Sequence, residues 1–474
     1  MLTSDTVAAR RPATGRRALT WGGVVGLLVV IWGWRIGLRP LGDNSFLTHL
    51  ATGRFILDHG IPRHDPYSFT APGTPWTVQS WLASVLYGLT DRLGGWRALQ
   101  LLTGLTTLAL AAIIWRLSSP ARGVIARLLI AGLALAVGTG TWSERPLLFG
   151  LVFLTVALLA AEDRIDARWL IPVFWLWVNI HGSFPLGLLV LGLLAVGRWA
   201  DGARPSAERR ALTMAALGTL LGAINPLGPS LIVFPGHLLA RQSILRHIIE
   251  WQAPSFTTWP QRLFLMQIAL AVLLLARRPS WRLAVPFAVL VPMALLSARN
   301  MNVASIVLVI AMAPAAAGLG GLGSDEPAVP AARAGLGALI VLGVILSVSA
   351  FLTPAVDFKD YPTKAVAWLD AHTSLRDERI AAPDYVGNYL EYAYGGAVKV
   401  FVDDRAEMYP KAVYDDFITV LAAKPDWEAA LQRRAVTAVI WPADGPLTSV
   451  LSESSHWSIV YRDRNWIVAR PRAS

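Results

Sequence analysis

Residues 18–34 decide the fold of this chain, and they read ALTWGGVVGLLVVIWGW. The run holds no charged side chain, and as a helix it would reach most of the way across the roughly 30 Å hydrocarbon core of a bilayer. A basic segment precedes it, which predicts a membrane helix whose amino terminus stays in the cytoplasm. Trp32 and Trp34 are typical of the membrane interface, and no small-residue cleavage motif precedes Arg35. We therefore expect a retained membrane helix and no cleaved signal peptide.

Apolar runs of the same kind recur along the chain. Hydrophobic residues make up 54% of the 474 and charged residues 15%, with a mean hydropathy of +0.49. A single soluble core of this size would need more polar surface. We predict a polytopic α-helical membrane protein with about eleven transmembrane helices. After the first run, the predicted spans are 96–115, 124–141, 146–161, 169–181, 185–198, 211–225, 262–276, 283–298, 301–318 and 334–353.

Every second loop between these runs is basic, which indicates the cytoplasmic side. The net charge of +11 is therefore assigned to topology and anionic lipid, and this distribution argues against nucleic-acid binding. The other loops hold most of the unusual polar residues and are expected on the outer face. This alternation requires residues 76–93 not to cross the membrane, so we predict an interfacial helix there and a second one at Arg241–Trp251. The basic loops contain Arg116, Arg122, Arg127, Arg164, Arg168, Arg198, Arg204, Arg209, Arg210, Arg277, Arg278, Arg282 and Arg333.

The runs 169–181 and 185–198 are each too short to span a bilayer comfortably. Basic segments flank the pair on both sides, so the two runs are expected to form a hairpin. Its tip, Asn179–Pro185, would lie below the outer surface, where irregular backbone must contact protein or a water-filled cavity.

A small α/β domain outside the membrane is predicted after residue 353. All five lysines lie there, whereas arginine dominates before it. Helical spacing and short β-rich runs alternate in this part of the chain. The predicted helices are Pro362–Ala371 and Tyr414–Arg434, and the predicted strands are Val398–Val402, Val436–Trp441, Ser458–Tyr461 and Trp466–Ala469. The expected domains are a cytoplasmic tail at 1–17, a transmembrane domain at 18–353 whose first outer loop is 39–95, and an extracytoplasmic domain at 354–474.

The first outer loop concentrates side chains that can carry chemistry. Asp43 is expected at the entrance of a helix capped by Asn44 or Ser45, where partial desolvation suits a general base. Helix capping or solvation alone is the other interpretation of Asp43. Asp65 begins an Asp-Pro-Tyr-Ser turn, and the turn alone explains it equally well. His49 is a candidate proton carrier or ligand, with an ordinary hydrogen-bonding histidine as the alternative.

Later outer loops add ionisable and amide side chains near membrane depth. Ionisable groups there are costly, so by default they face a cavity and mark a site. A guanidinium keeps its charge and forms paired hydrogen bonds with phosphate, which makes Arg145 and Arg299 candidate phosphate partners. Interfacial snorkelling is the alternative. The predicted substrate-binding residues are Glu144, Arg145, Asn179, His181, Asn225, Glu250 and Arg299.

The tail domain carries an acidic cluster at Asp403, Asp404 and Glu407, beside Arg405. These residues could bind a cation or a sugar, but a solvated strand end with an Asp-Arg pair is the simpler interpretation. No Gly-rich phosphate loop, GxSxG, HExxH or Walker sequence is present, which removes support for those enzyme classes. The chain also has no cysteine, so neither disulfides nor thiolate metal sites are available.

Together these motifs resemble the GT-C superfamily of integral-membrane glycosyltransferases, in a bacterial, poorly characterised branch similar to the protein O-mannosyltransferases. The resemblance covers nearly the whole chain. It rests on the first outer loop from Asp43 to Leu82, on Asn179-Ile180-His181-Gly182-Ser183-Phe184, on Asn225-Pro226, on Glu250-Trp251, and on Phe401-Val402-Asp403-Asp404-Arg405 with Met408-Tyr409.

The resemblance implies a multi-span fold whose first outer loop carries the catalytic carboxylate, by position Asp43. The implied donor is a sugar on a polyprenyl phosphate, and the implied acceptor is an envelope glycan, lipid or protein hydroxyl at the outer face of the bacterial cytoplasmic membrane. Many relatives have a second acid beside the first or two positions away, whereas Asn44 and Ser45 follow here. This departure argues against dependence on a divalent cation, so we assign neither a cofactor nor metal ligands.

Two other functions remain open on the sequence. A non-catalytic envelope-assembly or scaffold protein could keep the same architecture and use the tail domain as a docking surface. A lipid-linked glycan transporter would carry charged residues in both halves of the membrane, whereas here they are predicted mainly at the outer side.

Overall fold

The computed structural model describes residues 19–241, 244 and 248–472. The predicted cytoplasmic tail at 1–17 lies outside these ranges, as does part of the second predicted interfacial helix. The described part of that helix includes a 3₁₀ turn at Ile249–Trp251.

Helices built from the apolar runs form the larger part of the protein. Most of their positions match the predicted runs, whereas the helix Ser230–Leu239 lies between two predicted runs, and their ends lie where caps and helix breakers occur. For example, the first helix begins after Thr20, whose side chain accepts a hydrogen bond from the Gly23 amide at 3.2 Å. The helices are α1 (Trp21–Gly37), α2 (Asn44–His59), α3 (Trp81–Leu117), α4 (Val124–Gly138), α5 (Leu147–Ala161), α6 (Leu170–Ile180), α7 (Phe184–Ala200), α8 (Ser206–Leu221), α9 (Ser230–Leu239), α10 (Trp259–Arg277), α11 (Trp281–Leu296), α12 (Met301–Ala315) and α13 (Pro330–Leu352).

Four of the described helical segments are long and apolar enough to cross a membrane: Trp81–Ala121, Trp259–Arg277, Ala298–Ala315 and Ala332–Leu352. Shorter apolar helices of 10–17 residues account for most of the other predicted runs. The helical, membrane-type architecture is confirmed, whereas the count of eleven spans stays a prediction.

Helix α3 is bent where the sequence predicts a change from an interfacial helix to a span. Gly94 and Gly95 leave helical geometry, and Gly95 adopts a φ of 58° that favours glycine. The segment before the bend begins at Trp81, so the predicted helix at 76–93 starts five residues later than expected. Residues 76–80 instead form an extended approach that ends in a turn.

Helices α2 and α3 touch backbone to backbone. A Cβ atom placed on Gly53 would lie 1.9 Å from the Ser84 carbonyl oxygen, and Gly88 lies opposite at similarly close range. The absence of side chains at this crossing holds the first outer loop tightly against the helical bundle, and it fixes where the amino terminus of α2 points.

Helices α6 and α7 form the predicted hairpin, joined by His181, Gly182 and Ser183. Helix α6 has 11 residues, or about 16 Å, and α7 has 17, or about 25 Å. Helix α7 is therefore longer than the predicted run. The depth of the hairpin tip in the membrane stays a prediction.

The tail of the chain folds around a four-stranded sheet in the order β1-β2-β4-β3, in which β1 and β2 are parallel and the other pairs antiparallel. Three of the four predicted strands are confirmed, at β2, β3 and β4. The elements are α14 (Thr363–His372), β1 (Ile380–Ala381), α15 (Asp384–Tyr394), α16 (Lys411–Leu421), α17 (Trp427–Arg433), β2 (Ala438–Pro442), α18 (Pro446–Glu453), β3 (Trp457–Arg462) and β4 (Trp466–Pro471).

Two predicted elements of the tail are corrected. The helix expected at Tyr414–Arg434 is two helices, because Ala423 turns to a φ of 48° and Pro425 follows it. The strand expected at Val398–Val402 forms only isolated bridges. Val400 bridges Ile380 on one side and Ser68 of the first outer loop on the other, so this segment joins the tail domain to that loop.

Candidate active site

Asp43 lies at the amino terminus of α2, next to the end of α1. It is itself the N-cap residue: its Oδ1 accepts a hydrogen bond from the Ser45 amide at 3.1 Å. The predicted cap at Asn44 or Ser45 is therefore displaced by one or two positions. The positive end of the helix dipole favours an ionised carboxylate at this position.

Arg145 connects Asp43 to Glu250, which lies in a later predicted outer loop. Its Nε lies 2.7 Å from both carboxylate oxygens of Asp43, and its Nη1 lies 2.7 Å from Glu250 Oε2. Its Nη2 is 3.5 Å from Asn44 Oδ1. Pro146 follows immediately as the N-cap residue of α5, so the guanidinium extends from a rigid helix entrance. One cation thus bridges two carboxylates that are 207 positions apart in the chain.

A second guanidinium lies beyond Glu250. Arg299 Nη1 is 3.5 Å from Glu250 Oε1, and the Arg299 side chain stacks over the Trp251 ring at 4.8 Å. It extends from the 3₁₀ turn Ala298–Asn300 that precedes α12. The order Asp43, Arg145, Glu250, Arg299 therefore alternates in charge, and it brings together four of the predicted site residues.

Glu144 has a different role from that predicted. Its Oε1 accepts hydrogen bonds from the Gly42 and Asp43 amides, both at 2.8 Å. Burial raises the pKa of its carboxyl group, and the nearby Asp43 charge adds to this rise, while the two amides oppose it. This geometry holds the chain that enters α2, so Glu144 positions Asp43 and does not face an open site.

The two predicted histidines, His49 and His181, make hydrogen bonds within the protein. His49 Nδ1 is 3.4 Å from Ser84 Oγ, and burial together with the Arg145 charge lowers the pKa of His49 to about 4. His181 Nδ1 accepts a hydrogen bond from the Ser183 amide at 3.1 Å, which leaves its proton on Nε2. Arg299, His49 and Arg145 are its electrostatic neighbours. Both rings are neutral at pH 7 in this arrangement, so they act as dipolar hydrogen-bonding groups.

Asn179 and Asn225 have their hydrogen bonds satisfied within the fold. Asn179 is fully buried; it accepts a hydrogen bond from Trp81 Nε1 at 3.0 Å and donates to the Trp175 carbonyl at 2.8 Å. Asn225 donates to the Gly222 carbonyl and accepts from the Leu227 amide, both at 2.6 Å. These contacts give the two amides structural roles at a helix end and in a turn, and their predicted contact with substrate stays a prediction.

Asp65 belongs to a separate buried cluster. Its oxygens accept hydrogen bonds from the Tyr67 and Ser68 amides at 3.0 Å, and Oδ1 lies 2.8 Å from Arg405 Nη2 of the tail domain. The Asp65 side chain is fully shielded from solvent. These contacts make Asp65 a structural link between the predicted first outer loop and the tail, and its predicted catalytic role stays a prediction.

Within the acidic tail cluster, Asp403 and Arg405 are buried and Asp404 and Glu407 are half-buried, which corrects the expectation of a solvated strand end. Asp403 and Arg405 pair within the cluster that holds Asp65. Asp404 turns the other way: its carboxylate accepts a hydrogen bond from Ser45 Oγ, and its Oδ1 lies 3.4 Å from Asn44 Nδ2. Sequence reasoning missed Asp404 as a neighbour of Asp43. Alternation along an extended segment was the available signal, because it sends residues 403 and 404 to opposite sides.

Burial raises the pKa of Asp404 from its ordinary value to about 7, and the negative charge of Asp384 adds to this rise. Arg145 opposes it. The site therefore contains one carboxylate in direct contact with a guanidinium and a second that changes its charge near neutral pH. Within the described ranges, no group of three acidic, histidine or cysteine side chains is arranged to hold a metal ion.

Comparisons with known proteins bear on the fold. No protein-family model matches the chain, and no curated protein matches its sequence. Among solved structures, the chain is similar to the archaeal oligosaccharyltransferase AglB from Archaeoglobus fulgidus, solved in complex with an inhibitory peptide and a dolichol-phosphate. The match has a TM-score of 0.52 at 10% sequence identity and covers 90% of this chain and 69% of that chain. At this level of identity the similarity concerns the overall fold, which the chain shares with this archaeal oligosaccharyltransferase.

Proposed function

We propose that this protein transfers a sugar from a polyprenyl-phosphate donor to an acceptor hydroxyl at the outer face of the cytoplasmic membrane. The observation that carries the proposal is the alternating arrangement of Asp43, Arg145, Glu250 and Arg299 at the entrance of α2. A lipid-linked sugar needs a group that accepts the acceptor proton and cations that bind the phosphate, and this arrangement contains both. The fold shared with AglB, which was solved with a dolichol-phosphate, supports the same class of donor.

The two arginines would bind the donor phosphate in place of Glu250. The Glu250 side chain is 38% exposed and extends from a 3₁₀ turn. Its carboxylate can therefore move into solvent when a phosphate takes its place beside Arg145 and Arg299. A phosphate that binds both guanidiniums also weakens the contact between Arg145 and Asp43. The Asp43 carboxylate then has an oxygen free to contact the acceptor hydroxyl.

The reaction that fits this geometry inverts the configuration of the sugar. The acceptor oxygen attacks the anomeric carbon and loses its proton to Asp43, while the bond between that carbon and the phosphate oxygen breaks. The polyprenyl phosphate leaves with the bonding electrons, and Arg145 and Arg299 stabilise its additional negative charge.

The test is turnover of purified full-length protein in lipid nanodiscs with a panel of radiolabelled polyprenyl-phosphate monosaccharides and envelope acceptors. We expect Asp43→Asn to lower the rate by about 10²–10⁴, the usual effect of removing a general base, with donor binding largely retained. Asp91→Asn is the matched control, because Asp91 is another carboxylate of the predicted first outer loop and pairs with Arg54.

Near-normal turnover of Asp43→Asn would remove Asp43 from the mechanism. If wild-type protein releases no polyprenyl phosphate with any donor and acceptor of the panel, the non-catalytic scaffold is favoured instead.

A further inference from the structure

Asp404 comes to the candidate active site from the tail domain, more than 350 positions after Asp43. Its backbone amide donates to Asn388 Oδ1 of α15 at 3.0 Å, which fixes this turn of the chain. Its neighbours in sequence, Asp403 and Arg405, are held in the buried cluster behind it. The Asp404 side chain therefore approaches α2 from a rigid support.

The contacts of Asp404 place it beside the guanidinium that would bind phosphate. Asn44 lies between the two groups: its Oδ1 is 3.5 Å from Arg145 Nη2, and its Nδ2 is 3.4 Å from Asp404 Oδ1. Ser45 Oγ donates to the same carboxylate. Asp404 is only partly exposed, and Arg145 is the cation whose charge acts on it. An anion bound by Arg145 would thus meet Asp404 as its next neighbour.

Phosphate binding would shift the balance of charge around Asp404 towards its protonated form. Arg145 is the cation that opposes this, and Asp384 of α15 is the carboxylate that promotes it. Tyr361 and Tyr414 also face it and are neutral at pH 7. A phosphate would compensate the charge of Arg145 and add negative charge of its own, and both changes favour the protonated form of Asp404.

We propose that Asp404 is the acid partner of Asp43, and that its protonated carboxyl group donates a hydrogen bond to the departing phosphate. This inference rests on the proposed function. As the bond between the anomeric carbon and the phosphate oxygen breaks, the proton moves from Asp404 to a phosphate oxygen. Asp43 takes the proton of the acceptor hydroxyl, so one carboxylate gains a proton and the other loses one. Two carboxylates with different environments can divide acid and base roles in this way.

A binding experiment tests the role of Asp404 without depending on turnover. The probe is farnesyl phosphate, and its dissociation constant for the full-length protein is measured from pH 6 to pH 8. Between pH 6 and pH 8, the dissociation constant of wild type should increase by about tenfold more than that of Asp404→Asn. A group with a pKa near 7 changes from mostly protonated to mostly ionised over this range, and the ionised Asp404 weakens binding of the phosphate beside it. The titration of the phosphate itself is common to both proteins and cancels in the comparison.

A second variant keeps the test informative if Asp404→Asn binds poorly. Asp384→Asn removes a negative charge that faces Asp404 without changing the site, so the loss of affinity should move to lower pH. Identical pH dependence of farnesyl phosphate binding in wild type, Asp404→Asn and Asp384→Asn overturns the inference.

The rate of sugar transfer separates this inference from the proposed function. If wild-type protein is active, its rate of sugar transfer should fall above pH 7. This fall should be absent from Asp404→Asn and should return in Asp404→Glu. If Asp404→Asn instead loses the rise in rate at low pH, Asp404 is the base and the assignment is overturned. A lack of transfer in wild-type protein, with the binding difference intact, refutes the proposed function and the acid role that rests on it, and leaves only the hydrogen bond between Asp404 and the bound phosphate.

Discussion

Replacing Arg405 with methionine should separate the tail domain from the first outer loop. The Arg405 guanidinium is buried and contacts Asp65 Oδ1 at 2.8 Å and Asp403 Oδ2 at 2.5 Å, with Glu391 Oε1 at 3.7 Å. It also lies 4.4 Å from the Trp76 ring centre and 4.9 Å from that of Tyr67. Asp65, Trp76 and Tyr67 belong to the first outer loop, so this side chain joins two parts of the chain that share no covalent link nearby.

The expected loss of stability follows from the charges that remain after Arg405 is replaced. Burial raises the pKa of Glu391 well above its ordinary value, and the Asp403 charge adds to the rise, so Glu391 is protonated. Asp65 and Asp403 then contribute two negative charges against the one positive charge of Arg405. Methionine would leave buried carboxylates without a cation, which typically costs about 3–5 kcal/mol. At about 2 °C per kcal/mol, the melting temperature should fall by about 6–10 °C.

The assay is the thermal unfolding of purified protein in detergent, followed by the fluorescence of its 20 tryptophans. Arg433→Met is the matched control, because Arg433 also pairs with a carboxylate, that of Asp416 at 2.6 Å, but its side chain is 54% exposed. A surface ion pair contributes about 0–1 kcal/mol, so this variant should unfold close to wild type. The double variant Arg405→Met with Asp403→Asn should recover part of the loss, because it removes one uncompensated charge.

An Arg405→Met protein that melts within about 2 °C of the Arg433→Met control would refute the reasoning. Failure of the double variant to recover any stability would show that packing against Trp76 and Tyr67, and not charge compensation, is the main contribution of Arg405.

Two further predictions concern stability. Gly53→Ala should cost about 1–3 kcal/mol in thermal unfolding, because the new methyl group would meet the Ser84 carbonyl oxygen at 1.9 Å. Gly192→Ala is the control and should be neutral or slightly stabilising, because the space around its Cβ is open. Equal melting temperatures of the two variants would contradict this prediction. The raised pKa of Asp404 means that the folded state binds its proton more tightly than the unfolded chain, so wild type loses stability as the pH rises from about 4 to about 7. Asp404→Asn lacks this loss, so its melting temperature relative to wild type should increase between pH 5 and pH 8. The increase corresponds to at most about 3 kcal/mol, because the folded-state pKa of about 7 lies about two pH units above the start of this range, and a pH-independent difference would exclude a raised pKa.

The class of the protein and the positions of most helices were determined by the sequence alone. The length of an apolar run reflects the thickness of the bilayer and the rise of a helix, and the arginines between the runs reflect the topology. Both patterns can be interpreted without knowledge of distant contacts. The bend at Gly94 and Gly95 and the hairpin at His181 were predictable for the same reason. The grouping of Asp43, Arg145, Glu250 and Arg299 also followed from polar residues gathered in loops of one predicted side.

Only the tertiary structure decided what each polar residue does. Asp43 and Asp65 are both carboxylates of the first outer loop, but one faces Arg145 and the other faces Arg405 of the tail domain. Asn179 looked like a substrate ligand, yet its amide is occupied by Trp81. Asp404 looked like part of a solvated strand end, yet it contacts the first turn of α2. Hydrogen bonds and charge pairs between residues hundreds of positions apart depend on how the tail domain packs against the first outer loop, and no local pattern in the chain encodes that contact.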